Sequence, residues 1–243
     1  MFALCKKEII SFFSSITGYL VAGVFLLMTA LFLWIVPGQM NIPMGGYATL
    51  EPFFWLAPWL FLFLVPAVTM RLLADEKRSG TLEILLTKPL TDWQIVGGKY
   101  LAGFFLVVIS LLPTLVYFFS LHKMAQPIGN IDHGAIWGSY IGLLFLGAVY
   151  TSIGLFTSSI TSNQIVAFIF AVVLSFLFYS GFDAISSIPV FKSSSSWLVG
   201  LGIDAHYQSI SRGVIDFRDL TYFVGVIVLF LALTKMMISR KRW

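Results

Sequence analysis

Residues 74–99 read ADEKRSGTLEILLTKPLTDWQIVGGK, and the placement of this stretch decides the fold. It is dense in charge. Residues 71–99 hold Arg71, Asp75, Glu76, Lys77, Arg78, Glu83, Lys88, Asp92 and Lys99, from a chain with 15 Lys/Arg and 11 Asp/Glu in all. Apolar runs lie on both sides of it. Leu82, Leu85 and Leu86 fall at i, i+3 and i+4, which is one face of a helix. Gly80 or Thr81 can start that helix and Pro89 ends it. Thr91 and Gln94 then have capping-box spacing, with Thr91 as N-cap, so a second helix begins at once. The expectation is a short, tightly bracketed helix between two long ones. Such a helix transmits a displacement that a slack loop would absorb. Periodicity alone leaves open a helix that simply rests on lipid headgroups.

Composition says what the long neighbours are. Of 243 residues, 58% are hydrophobic and 11% charged, with mean hydropathy +0.92. Soluble domains are about 45–50% apolar and about 25% charged. A water-soluble fold of this size could not hide the excess, so the solvent is lipid and the class is an all-α membrane protein. Six stretches reach the roughly 20 apolar residues a span needs: residues 16–36, 52–73, 95–121, 136–158, 164–182 and 220–238. The first is read as a retained span, because it outruns a signal-peptide core and no small-residue cleavage pattern precedes Pro37. Residues 1–15 set Leu4, Ile9, Phe12 and Phe13 among Lys6, Lys7 and Glu8. That suits an interfacial helix, or equally a frayed end anchored by lysine.

Basic residues orient the spans. With the N-terminus inside, the inner segments hold Lys6, Lys7, Arg71, Lys77, Arg78, Lys88, Lys99, Lys235, Arg240, Lys241 and Arg242. The outer segments hold only Lys123, Lys192, Arg212 and Arg218. The positive-inside rule then puts both termini and segment 74–94 in the cytoplasm, and loop 183–219 outside. The tail SRKRW reads as a stop and anchor at the inner interface. The net charge of +4 therefore marks sidedness and contact with lipid, and implies no nucleic-acid partner.

No catalytic, cofactor or metal site is expected. His122, His133 and His206 have no partner at metal-ligand spacing, and Cys5 stands alone. No His-Glu-x-x-His pair or Gly-x-Ser-x-Gly elbow occurs. Gly97-Gly98-Lys99 ends like a phosphate loop, but Trp93 stands where glycine is required and Tyr100 where Ser or Thr is. The apolar cores carry almost no ionisable residues, unlike those of ion-coupled carriers. The glycines at 97, 98 and 103, and at 138, 142 and 147, read as packing faces. Energy for any transport must come from a partner.

At the connector the chain resembles ABC-2 type permeases. Glu76, Gly80-Thr81, Glu83, Leu85-Leu86, Pro89 and Lys99 match that family's pattern: an acidic residue, Gly-Thr, acidic-x-Leu-Leu, Pro and a downstream Lys. The resemblance implies the six-helix ABC-2, type V exporter-like fold in a bacterial inner membrane. It also implies a coupling helix around residues 81–88 that docks into a separate ATP-binding subunit, with ATP and Mg held by that subunit. Glu76, Gly80, Thr81, Leu82, Glu83, Leu85, Leu86 and Pro89 become the coupling residues, with Leu82, Leu85 and Leu86 carried in the partner's groove. The family often carries more basic charge in its second cytoplasmic loop, whereas TSSITSN here is neutral.

Further blocks extend the likeness: FFSSITGYLV, FFWLAPWLFLFLVPAVTMR, LLTKPLTDWQIVGGKYL, SSITSNQIVAFI and HYQSISRGVIDFRDLTYF. Together they resemble the gliding-motility-associated permease subunits of Bacteroidetes. This implies a heteromeric complex with a companion membrane subunit that carries a large extracytoplasmic part. The same pattern allows a non-transporting anchor or force-transmitting subunit of an envelope machine.

Outside, FKSSSSW at 191–197 reads as a flexible turn. Tyr207, Ile210, Val214 and Phe217 recur at roughly helical spacing across 204–219, an amphipathic helix or re-entrant turn. It would form an outer gate, dock the companion subunit, or simply cap the bundle. Pro58, Pro66 and Pro113 each remove a backbone bond inside a span, giving either a hinge or a static kink.

Overall fold

The computed structural model describes residues 1–189, 195–214 and 216–240. Among the described residues every regular element is helical. Six helical stretches are long and apolar enough to cross a membrane: Ile16–Ile35, Glu51–Arg78, Asp92–Met124, His133–Ile160, Gln164–Ser186 and Phe217–Ser239.

In chain order, α1 (Phe2–Phe13) precedes α2 (Ile16–Ala30), which ends in a π turn. α3 (Glu51–Thr69) passes through Met70 into α4 (Arg71–Arg78), followed by the short α5 (Thr81–Leu86). α6 (Asp92–Leu111) runs through a 3-10 turn holding Pro113 into α7 (Leu115–Met124). α8 (His133–Ile160) is the longest helix. α9 (Gln164–Phe176), a second π turn (Leu177–Gly181) and α10 (Phe182–Ser186) make the fifth stretch. α11 (Ser195–Val199) and α12 (Ile203–Ser211) lead to α13 (Phe217–Ser239).

α8 is the axis of the bundle and packs against α3, α6, α9, α12 and α13. The apolar windows of the α8 and α3–α4 stretches are 78% and 67% buried, against 22% for those beginning at Ile16, Gln164 and Phe217. The first two are therefore sealed in protein. The other three turn side chains such as Leu20, Phe170 and Val228 outward, the surface a bilayer covers. Glycine lets the neighbours of α8 come close. A Cβ on Gly154 would collide with Thr69 Oγ1, and one on Gly138 would stand only 2.7 Å from Gly213 Cα. Gly142 meets the Tyr207 ring and Gly147 meets Val107, so the small-residue face is a packing face.

Pro58 cannot donate to the carbonyl four residues earlier, that of Phe54. Tyr207 fills the vacancy: its hydroxyl donates to Phe54 O at 2.8 Å and ties α12 to α3.

One end of the bundle gathers α1, the α4–α5 elbow, the turn at 161–163 and the end of α13, where Ser239 Oγ donates to Asp92 Oδ2 at 2.8 Å. The opposite end gathers α10–α12 and the start of α3 and α8. Several bounds differ from the sequence reading. The second stretch continues as helix through the charged residues 75–78, and segment 183–219 contains three short helices. The amphipathic run from 204 stops at Ser211, because Gly213 takes φ +85° and Asp216 caps a new helix by accepting from Arg218 N. Tyr207 and Ile210 are buried, while Val214 and Phe217 are exposed. Part of the turn expected at 191–197 and the end of the SRKRW tail lie outside the described residues.

Candidate functional site: the elbow between α4 and α6

α4 stops because Gly80 enters the left-handed region, φ +72°, which an L side chain adopts only at a cost. Ser79 closes the last turn, with both its amide and its hydroxyl on Asp75 O. α5 follows with six residues and no side-chain cap, too short to hold itself. It is held by packing. Leu82 (2% exposed) and Leu86 (9%) sit among Leu4, Leu72, Leu73, Ile95, Val96, Leu155 and Ile238. That cluster draws on α1, α4, α6, α8 and α13, so a push on α5 reaches all five.

This corrects the expected face. Leu82 and Leu86 point into their own protein, since i and i+4 side chains on so short a helix find an apolar seat directly beneath. Leu85 is half-buried at the edge. The outward apolar residue is Ile84, 62% exposed, with Glu83, Thr87, Lys88 and Pro89 beside it and Thr81 and Arg78 nearby, all exposed. Thr81 Oγ1 lies 2.8 Å from Ser79 Oγ across the glycine turn. Pro89 makes the exit: Leu90 N–H donates to Lys88 O at 2.7 Å around it. The capping box at Thr91 forms in full, with Thr91 N–H to Gln94 Oε1 at 3.0 Å and Gln94 N–H to Thr91 Oγ1 at 3.3 Å.

Under the elbow lies a charged hub. Lys99 is wholly buried. Its ammonium donates to Leu72 O at 2.5 Å and to Glu8 Oε1 at 3.2 Å, and Glu76 Oε2 stands 2.9 Å away. Lys7, mostly exposed, adds a weaker contact to Glu76 at 3.6 Å. One ammonium thus joins α1, α4 and α6. A buried lysine is costly unless carboxylates and carbonyls surround it, as they do here.

α4 is fastened on its other side by α8. Its first amides have no side-chain cap of their own. Ser158 supplies one: its Oγ accepts from Leu73 N and Ala74 N, both at 3.0 Å, and donates to Met70 O at 2.8 Å. Gln164 donates to Asp75, Lys77 to Ser159 O, and Arg71 to Thr17. Arg71 also lies over the Phe12 ring at 5.7 Å. The neutral turn at 161–163 is thus flanked by residues gripping α4.

Of the residues singled out from sequence, Glu76 belongs to the hub, Gly80 and Pro89 shape the turns, Leu82 and Leu86 anchor, and Thr81, Glu83 and part of Leu85 are presented outward. Glu8, Ser158 and Ile84 were missed. The arrangement is held by packing, hydrogen bonds and ion pairs, and no cluster of three metal-ligating side chains occurs among the described residues. What it offers is a stiff elbow with one exposed apolar knob.

The comparisons with known proteins fit this geometry. A family model described as ABC-2 family transporter protein matches residues 60–241. Relatives from Escherichia coli K12 and O157:H7, each named "Probable multidrug ABC transporter permease YbhR", are 30% identical over 153 residues, 62% of this chain. The matched region is 39% of those relatives, so the chain spans about two fifths of their length. With the family match running from the middle of α3 to the end of α13, the chain belongs to the ABC-2 family of transporter proteins.

Proposed function

We propose that this chain is the membrane-embedded permease subunit of an ABC transporter and that α5 is the contact for a separate cytoplasmic ATPase, which binds ATP and Mg. The observation that carries the reading is the exposure of Ile84 on an elbow whose other side is locked to five helices. An apolar side chain held out among charges on a rigid support is what a groove can grip, and its burial is worth roughly 1.5–3 kcal/mol. The eleven-to-four distribution of Lys and Arg supports a cytoplasmic position for this end of the bundle and both termini, and the family resemblance supports a bacterial inner membrane. Closure of the ATPase moves Ile84. Leu82 and Leu86 pass the displacement to the cluster, and the Lys99 hub carries it to α1 and α6.

The sequence blocks resembling gliding-motility permeases support a role in gliding, with a companion membrane subunit that has a large extracytoplasmic part. The relatives' printed name favours multidrug transport instead, so the two uses are separated by experiment. Ile84→Asp is introduced into the chromosomal gene, and the ATPase co-purifying with the tagged permease is measured. Recovery at least about tenfold lower, with permease levels unchanged, is the expected result; full recovery of the complex ends the docking reading. Loss of surface spreading in the same strain supports gliding, and intact spreading with lost drug tolerance assigns the subunit to export.

A further inference from the structure

The end of the bundle opposite the elbow holds a cavity of 660 Å³, within the range of small-molecule sites. Its apolar wall is aromatic: Phe54, Trp55, Trp59, Tyr179 and Tyr207. Trp59 meets Tyr179 edge-on with centroids 5.6 Å apart, and Trp55 lies 6.4 Å from Trp59. A second cavity of 450 Å³ shares Tyr179, Asp204, Gln208 and Arg212 with the first.

Three carboxylates line the larger cavity: Glu51, Asp132 and Asp204. Two have a sufficient explanation in the fold. Glu51 opens α3, and Asp132 caps α8 by accepting from Ala135 N at 3.0 Å, both favourable places for negative charge. Asp204 is different. It is half-buried and accepts from Gln208 Nε2 at 2.8 Å, yet among the described residues no Lys, Arg or His pairs with it. Arg212, the only cation on the lining, is itself exposed. Burial pushes the Asp204 carboxyl up from the ordinary range, hydrogen bonds from Tyr179 and Gln208 pull the other way, and nearby Asp183 adds to the rise. Tyr150 adds unused capacity nearby: its ring is 6.5 Å from Tyr179, and its buried hydroxyl has no partner among the described residues.

We propose that this cavity binds an organic cation with a bulky apolar body, its charge beside Asp204 and its body against Trp55, Trp59 and Tyr179. A cation there meets a half-buried carboxylate that no cation among the described residues balances, together with ring faces that attract positive charge once water is displaced. The 660 Å³ of the larger cavity alone accommodates a body larger than one ring system. The inference stands on this cavity and not on ATPase docking, so its failure leaves the elbow untouched.

The test uses the full chain in lipid nanodiscs and two ions of one shape and opposite sign, tetraphenylphosphonium and tetraphenylborate. Saturable binding is followed by tryptophan fluorescence and equilibrium dialysis. Saturable tetraphenylphosphonium binding at least tenfold tighter than any saturable tetraphenylborate binding is expected, roughly 1.4 kcal/mol of discrimination. Asp204→Asn should weaken it at least about fivefold, and Glu51→Gln less than twofold. Trp59→Leu, which keeps the carboxylate, should also weaken it at least about threefold, and it decides the matter should Asp204→Asn fail to accumulate. Equal binding of the two ions, non-saturable uptake alone, or wild-type affinity in whichever of these two variants is read overturns the proposal.

Discussion

Lys99 Nζ lies 2.9 Å from Glu76 Oε2, and no part of the Lys99 side chain reaches solvent. This pair joins the start of the third span to the helix that carries the elbow, and Glu8 draws α1 into the same contact. Lys99→Met leaves two carboxylates facing each other with only the mostly exposed Lys7, 3.7 and 3.6 Å from Glu8 and Glu76, to balance them. Breaking a buried pair costs roughly 3–5 kcal/mol. Glu8 and Glu76 keep 14% and 12% exposure, so the lower end is expected. Adding Glu8→Gln and Glu76→Gln should restore most of the loss. Thermal unfolding of the purified protein reads both changes, and an unchanged midpoint for Lys99→Met would remove the hub from this account.

Ser158→Ala takes the acceptor from the amides of Leu73 and Ala74, both in buried residues of α4. Ala74 N–H keeps its helical partner at Met70 O, so the Leu73 amide is the buried donor left unpaired, and a cost of about 2 kcal/mol is expected. Hydrogen exchange at the Leu73 amide should accelerate while the middle of α8 stays protected.

Tyr207→Phe removes the hydroxyl that serves the Phe54 carbonyl, and costs about 1–2 kcal/mol for that reason. In a Pro58→Ala background the new amide of residue 58 takes over, and the same change should cost less than about 0.5 kcal/mol. A double-mutant cycle measures the difference directly. Equal costs in the two backgrounds would mean that Tyr207 acts only by filling space.

Asp204 sets a dependence on pH with a definite sign. Its carboxyl is raised in the folded protein, chiefly by burial. The penalty is absent below the unfolded value, grows as pH rises, and is complete above the folded value, so this group removes stability as pH increases through that window. Asp204→Asn should therefore melt at the wild-type temperature or a few degrees above it at pH 7, and the two curves should converge in acid. A variant that melts well below wild type at pH 7 contradicts this.

The six spans were legible because length and composition suffice for them. The capping box at Thr91 and Gln94 was legible because it is purely local. Direction was not. Periodicity shows that Leu82 and Leu86 share a face, but not whether that face meets a partner or the protein itself. Only the seat formed by Leu4, Leu155 and Ile238, distant in sequence, decides the matter and leaves Ile84 outside. Residues 75–78 read as connector because they are charged. They are helix because Gln164 and Lys99 satisfy that charge from other elements, while Ser158 holds the turn just before them. Lys99 could be noticed as a lysine entering an apolar run, but its contact with Glu8, 91 positions away, could not. The amphipathic run at 204–219 was overextended because Gly213, a turn residue at φ +85°, interrupts a pattern that its apolar neighbours continue.

The central claim is that Ile84 touches the ATPase. Cys5 is the chain's one cysteine, so Cys5→Ala gives a clean background in which to add either Ile84→Cys or Leu86→Cys. In native membranes holding the whole complex, a maleimide carrying a photoreactive benzophenone, attached to the thiol of the Ile84→Cys permease and irradiated, should join it to the ATPase subunit. The thiol of Leu86→Cys, buried in the cluster, should stay largely unreacted. Labelling of Ile84→Cys by an impermeant reagent added from outside the cell, or an intact complex in which that variant never cross-links, would contradict the account.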